Sequence, residues 1–292
     1  MTYTTVSPLR AWAICAASLL VCPTVFAQQS SATPTVAATP AAIPSLAGKG
    51  TDSDRRWSVY WGWNRSNYSN SDIHFWGSDH DFTLKGVAAD DLQTDATLAN
   101  VFAIFLRPSE VTIPQTNLRV AYQWDANTAI AFNLDHMKYV VAQGQSVPIG
   151  GQILGAPQSG NQVIGDNWLN YEHTDGLNII SLEIEKQRPV DWFGDSRTAR
   201  VFALAGVGIV LPKTNVTLHM VNQVRNDQFH LSGYSLGIGG GLEKDFWKDF
   251  FVRGAYKFGY VNMPDVLTSS RGDKASQSFT YNEFLVAAGW RF

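Results

Sequence analysis

Alternation with a period of two residues governs this chain from Arg56 onward. Trp57, Val59, Trp61 and Trp63 take turns with Ser58, Tyr60, Gly62 and Asn64. Phe284, Val286, Ala288, Trp290 and Phe292 take turns in the same way with Glu283, Leu285, Ala287, Gly289 and Arg291. Successive side chains of a β-strand point to opposite faces, so each run is a strand with one apolar face and one more polar face. The pattern predicts an all-β chain of antiparallel strands. Composition narrows the choice of solvent for those faces. Charged residues are 16% of the 292, against about 25% in an ordinary soluble domain. Aromatics reach 12%, with 10 Trp, 10 Tyr and 16 Phe. A mean hydropathy of -0.11 is nevertheless too polar for a bundle of membrane helices. Disorder, coiled coils and helical transporters are thereby excluded. The net charge of -3 offers no basic surface of the kind nucleic-acid binding requires, so no nucleic-acid partner is expected.

The chain divides into three parts. Residues 1–27 read as an export signal: Arg10, an apolar run from Ala11 to Phe26, and small or short residues at Val25 and Ala27, after which cleavage is expected. That run is shorter than the roughly 20 residues that cross a bilayer as a helix. Both cysteines, Cys15 and Cys22, lie within it, so the exported chain is expected to have no disulfide. Residues 28–55 are Ser, Thr, Ala and Pro with little charge as far as Gly50, a composition that cannot bury enough apolar surface to fold and reads as a periplasmic tether. Residues 56–292 carry the strands.

Phe292, in register with the apolar face of its strand, resembles the C-terminal signature of bacterial outer-membrane β-barrels. The resemblance covers about Arg56 to Phe292. It implies a closed antiparallel transmembrane β-barrel in the cell outer membrane, surrounded by outer-membrane lipid and lipopolysaccharide and delivered to the barrel-assembly machinery through Phe292. The physics agrees, because hydrocarbon leaves no backbone polar group without an internal partner, and a closed barrel supplies those partners without a continuous apolar run. Ten strands are expected, at 56–66, 79–88, 95–106, 117–125, 128–139, 176–187, 198–211, 229–244, 249–262 and 279–292. Pieces at Val147–Ile153 and Gln162–Leu169 could form a further hairpin and make twelve. Short turns at Asp90-Asp91, Asp125–Asn127, Pro189–Ser196 and Lys244–Lys248 would lie on the periplasmic side. The long connections 67–78, 107–116, 140–175, 212–228 and 263–278 would lie outside.

The same alternation sends Asp79, Asp81, Lys85, Arg119, Asp135, Asp175, Glu183, Glu185, Arg253, Lys257 and Arg291 into the lumen, together with Gly233, Ser235, Gly237, Gly239 and Gly241. Both signs of charge are present, and a small barrel has an interior that side chains nearly fill. Pairing across the lumen is therefore expected rather than a wide pore. Trp57, Trp61, Trp63, Trp124, Trp168, Trp192, Trp247 and Trp290 fall near expected strand ends, where they read as an aromatic girdle at the headgroup level.

Histidines and aspartates cluster at the outer end: Asp72 and His74; Asp79, His80 and Asp81; Asp135 and His136; His173 and Asp175. His219 and His230 fall there as well. Three readings follow. The groups could satisfy one another and fix the loops. They could bind, with His80, Asp79, Asp81, His136 and His230 as the contacts; no cofactor is required, although a divalent metal suits His and Asp. They could hydrolyse, with His173 as base, Asp175 or Asp135 orienting it, and Ser181 or Ser232 as nucleophile. No nucleophile elbow and no H-E-x-x-H motif supports the last two. Phrases such as Ser71–Phe75, Asp81–Lys85, Asp135–Tyr139, His173–Asn178 and Asn262–Asp265 resemble those of a group of outer-membrane proteins of unassigned function, which implies a location and no activity. The expected function is an envelope protein with a structural, binding or small-solute channel role; the alternative is a hydrolase of outer-leaflet lipid.

Overall fold

The computed structural model describes residues 56–95, 97–107, 114–194, 198–221, 226 and 228–292. The expected signal (1–27) and nearly all of the expected tether (28–55) lie outside these residues. In chain order the elements are β1 (Trp57–Tyr68), β2 (Ser71–Trp76), β3 (His80–Val87), β4 (Ala89–Asp90), one turn of helix α1 (Leu98–Asn100) running into a π-helical turn (Val101–Phe105), β5 (Thr116–Asp125), β6 (Thr128–Val141), β7 (Ser146–Ile153), β8 (Ala156–Gln158), β9 (Asn161–Val163), β10 (Leu169–Pro189), β11 (Ala199–Val210), β12 (Asn215–Leu218), β13 (Gly233–Asp245), β14 (Phe250–Leu267) and β15 (Lys274–Arg291).

Eight long strands pair in the order β1-β5-β6-β10-β11-β13-β14-β15, every pair antiparallel. β15 then pairs with β1 over eleven residues on each strand, from Ser58 opposite Arg291 to Tyr68 opposite Tyr281, so the order returns on itself. These eight are the expected strands at 56–66, 117–125, 128–139, 176–187, 198–211, 229–244, 249–262 and 279–292. The other two are not in the ring. Residues 80–87 form β3, which pairs with β2 and β7 beyond the ring, and residues 98–105 are helical. The expected periplasmic turn at Asp90-Asp91 also moves to the other end. Asp90 pairs with Val140 near the end of β6, and Asp91 accepts hydrogen bonds from the Ser66 backbone N–H and from the Gln115 amide. Three connections at one end are short, within 125–128, 189–199 and 245–250; this is the turn end. All the long ones gather at the opposite, loop end.

Side chains alternate along the ring strands as the sequence predicts. On β10 Leu182 and Ile184 are 61% and 53% exposed, whereas Ser181, Glu183 and Glu185 are buried. Leu118 and Val120 on β5, Ile130 and Phe132 on β6, Leu236 and Ile238 on β13, and Phe284 and Val286 on β15 repeat the pattern. The ring is thus apolar outside and polar inside, inverted with respect to a water-soluble barrel. At the turn end Trp124, Trp192, Phe193, Phe246, Trp247 and Phe292 are exposed as an aromatic fringe. Trp168 departs from the expected girdle: it packs on Phe82, 5.9 Å between ring centroids, against the loop-end core.

At the loop end the polarity reverts to normal. The first residues of β15 pair with β2, and the sheet continues through β3 and β7 to β8, with β9 following β8 along the same edge of β7. The expected extra hairpin in 147–169 therefore exists in part, as β7 with β8 and β9, and lies outside the ring. Ile73, Phe75, Phe82, Leu84, Tyr139, Tyr171, Met263 and Phe279 are buried together. Phe75 meets the edge of Tyr171 at 5.6 Å, and Tyr139 stacks on Phe279 at 5.0 Å. β10 serves both regions. Between His173 and Leu177 it carries two more residues than β6, and Gly176 sits in this bulge at φ +128°. Past the bulge β10 pairs with β12 instead of β11.

Candidate functional site

The lumen holds the first group of functional candidates. Arg119 on β5 donates to Glu183 and Glu185 on β10, both at 2.9 Å. Arg253 on β14 reaches over to the same Glu185 and also to Glu243 on β13 at 3.2 Å. Its guanidinium lies 3.4 Å from the centroid of the Phe202 ring. Lys257 donates to Asp135 on β6 and lies 3.1 Å from Glu183. Near the turn end Arg200 and Arg291 share Glu243 and Asp245. Arg119, Asp135, Glu183, Glu185, Glu243, Arg253 and Lys257 are all buried. Charges removed from water must be paired and hydrogen-bonded, and each of these is. The network cross-ties strands that are not neighbours in the sheet. Arg119, Asp135, Glu183, Glu185, Arg253, Lys257 and Arg291 are where the alternation sends them. Glu243 and Arg200 were missed, although Glu243 continues the parity of Gly237, Gly239 and Gly241.

Above Lys257 and Glu183 a small cavity of about 20 Å³ remains, bordered by Ser181, Ser235, Tyr281, Leu204, Ile179 and the glycines 206, 208 and 237. It exists because three glycines bring no side chain to this wall. At Gly206 an added Cβ would lie 3.1 Å from the Glu183 side chain. Toward the loop end, the buried Leu177, Val261, Met263 and Phe279 follow.

The second group is the His/Asp set at the loop end. His173 is fully buried. Its Nδ1 lies 2.9 Å from Thr214 Oγ1, and its ring packs between Tyr139 and Tyr171. Burial pushes its pKa down to about 3, so the imidazole is neutral at pH 7. Asp175 faces solvent and pairs with Lys213 at 2.7 Å. Asp135 lies in the lumen with Lys257, Asn117 and Asn133. Ser181 borders the lumen cavity, and Ser232 donates to the His230 carbonyl. His173, Asp175, Asp135 and Ser181 are therefore distributed over three environments.

The expected binding residues fare differently. His80 Nδ1 meets Asp79 Oδ1 at 2.8 Å, and Asp79 also takes Arg271 at 3.2 Å. Arg271 is in turn bound to Asp273, which accepts from the Ser269 hydroxyl at 2.6 Å. Burial works against ionisation of Asp273, but the Ser269 hydrogen bond and Arg271 outweigh it and hold the carboxyl below its usual range. These five side chains fasten the 77–80 turn to the 268–273 turn. Asp81 belongs to a separate pair with His74 at 2.8 Å, so Asp79 and Asp81 do not act together. His136 Nδ1 bonds Asn178 at 2.8 Å, and His230 stands 3.5 Å from Asp265, which Lys274 also holds. Among the described residues, no three His, Cys, Asp or Glu converge in a way that would hold a metal.

No protein-family model and no curated protein matches the sequence. Among solved structures, this chain is similar to Ail, the attachment invasion locus protein of Yersinia pestis, solved with the heparin analogue sucrose octasulfate (12% identity, 82% of this chain and 99% of that one, TM-score 0.33). It is also similar to Neisserial surface protein A (9% identity, 81% and 97%, TM-score 0.36). A third is the outer membrane protein OprG from Pseudomonas aeruginosa (11% identity, 81% and 96%, TM-score 0.38). These structural neighbours are outer-membrane β-barrel proteins, and the likeness is one of fold alone.

Proposed function

We propose that the ring is a closed, eight-stranded transmembrane β-barrel of the outer membrane, and that its role is structural and binding, exercised by the loop-end sheet on the cell surface. The inverted polarity of the ring carries this reading. Large apolar side chains cover its exterior, and its interior holds buried ion pairs beside a small apolar cluster that includes Phe202, Leu204, Phe251 and Leu285. An exterior of this kind is stable in acyl chains and would aggregate in water. Barrels of eight strands have an interior that side chains just fill, and the pairs from Arg119, Arg253 and Lys257 bridge the lumen where a channel would run. Conduction is accordingly not the role. In this reading residues 1–27 direct export, 28–55 form the periplasmic tether, and Phe292, which follows β15 in register with its apolar face, is read during assembly. Lipopolysaccharide and lipid are the immediate neighbours of the outer surface.

The hydrolytic alternative has less support, because the hydrogen bond of His173 to Thr214 gives the imidazole a packing role and leaves Ser181 in the lumen. Purified protein in planar bilayers tests the preferred reading. A membrane silent to voltage ramps is expected; steady, discrete conductance steps would contradict a filled lumen. Mass spectrometry of lipid A and phospholipids from overproducing cells would show lost acyl groups only if the alternative holds.

A further inference from the structure

The segment between β4 and β5 carries a mostly apolar stretch that lies outside both the ring and the loop-end core. From Leu98 to Leu106 it reads Leu-Ala-Asn-Val-Phe-Ala-Ile-Phe-Leu. As a strand these residues would have no alternation. As a helix they have two stripes. Phe105 is buried, with its ring 6.0 Å from that of Trp63 and edge-on. Leu98, Phe102 and Leu106, spaced four apart, are 82%, 73% and 57% exposed. Residues four apart share one face of a helix, so these three form a single apolar ridge pointing away from the barrel.

Polar contacts hold the segment in place. The Thr97 hydroxyl caps the helix by accepting from the Asn100 N–H at 3.1 Å, and Asn100 Nδ2 donates to the Asp95 carbonyl. Arg65, on the outward face of β1, donates to the Thr94 carbonyl at 2.6 Å and to Gln115 Oε1 at 2.7 Å, which clamps both ends of the excursion to one spot on the ring. That spot has a definite height. Trp63 lies opposite Val286 and Arg65 opposite Phe284 in the β1–β15 register, and Phe284 and Val286 are exposed members of the apolar belt. Trp63 and Arg65 therefore hold the segment at the level of the belt.

We infer that this segment is a lipid-binding element: a short helical foot lying in the outer leaflet, with Leu98, Phe102 and Leu106 among acyl chains and exposed Arg107 following at its end to meet headgroup phosphate. Three large apolar side chains in water would oppose folding of so short a helix, whereas hydrocarbon favours both their burial and the closing of backbone hydrogen bonds. The inference rests on the belt being lipid-facing, and its test separates the two. Single cysteines replace Phe102 or, on the belt, Leu182, in the protein purified from outer membranes. Each carries an environment-sensitive fluorophore, and the unsubstituted protein supplies the labelling background. In vesicles containing lipids spin-labelled along the acyl chain, both fluorophores should be quenched to a similar degree, and Leu98→Cys should behave like Phe102→Cys. Quenching at Leu182 with none at Phe102 and Leu98 would overturn the helical foot and spare the barrel. No quenching at any of the three would overturn both.

Discussion

Arg253 shows how much a single side chain carries in this lumen. Buried under Phe202 and Tyr60, it links Glu185 to Glu243 and thereby ties β10, β13 and β14 together. Arg253→Ala removes one partner each from Glu185, which keeps Arg119, and from Glu243, which keeps Arg200 and Arg291, so a loss of about 1–3 kcal/mol is expected. Urea unfolding in detergent micelles should show it, and Arg253→Lys should recover only part, since a point charge cannot serve two carboxylates and stack on Phe202 at once. His173 gives a pH signature. Its pKa falls from 6.5 to about 3 on folding, so below pH 6.5 the unfolded chain takes up a proton that the folded chain refuses. This contribution is neutral above that pH, becomes unfavourable as pH falls, and levels off near pH 3. His173→Phe should flatten the decline between pH 6.5 and 3 in thermal melts, with little change at pH 8. A His173 acting as an exposed base would show no such effect. At this scale the sequence told which residues enter the lumen but not their partners: His173 and Asp175 share a strand face on paper, and the bulge that follows sends one into the core and the other to Lys213.

Elements were legible wherever one solvent bathed each face. The eight ring strands follow from period two, because their outward residues are mostly apolar while their charged residues turn inward. Reading failed where the partner was not local. Residues 95–106 have the length and apolarity of a strand, and only the spacing of Leu98, Phe102 and Leu106 hints at a helix. Asp90-Asp91 has the chemistry of a turn, yet Asp91 spends it on Ser66 and Gln115 from distant parts of the chain. Gly176 is the joint between the two regions of β10. At φ +128° it adopts a conformation L residues rarely take, and a Cβ there would come within 2.8 Å of the His136 ring and 2.6 Å of the Asn178 amide. Gly176→Ala is expected to cost about 1–3 kcal/mol through strain. Hydrogen exchange should quicken in β12 and the first half of β10, while the ring half, 179–189, stays protected. Uniform loss of protection would mean that the bulge supports the ring as well.

The whole molecule is two cores of opposite polarity stacked along shared strands. The loop-end core is built as in any soluble protein, apolar inside; the ring beneath is built in reverse. The change of polarity is visible along one strand: on β10 outward Ile180, Leu182 and Ile184 give way to Asn178, Glu172 and Asn170. Sequence periodicity shows where strands lie but not how many share one ring, since a hairpin folded over the mouth alternates just as a spanning one does; hence the expectation of ten strands and the observation of eight. The measurement that bears most directly on this account is a nitroxide scan of β10 in reconstituted bilayers, one label at a time from Ile180 to Glu185, reading collision with dissolved oxygen. Oxygen concentrates in hydrocarbon, so accessibility should rise at 180, 182 and 184 and fall at 181, 183 and 185. A flat profile, or maxima at the odd positions, would mean that the apolar face does not touch lipid and that the barrel reading is wrong.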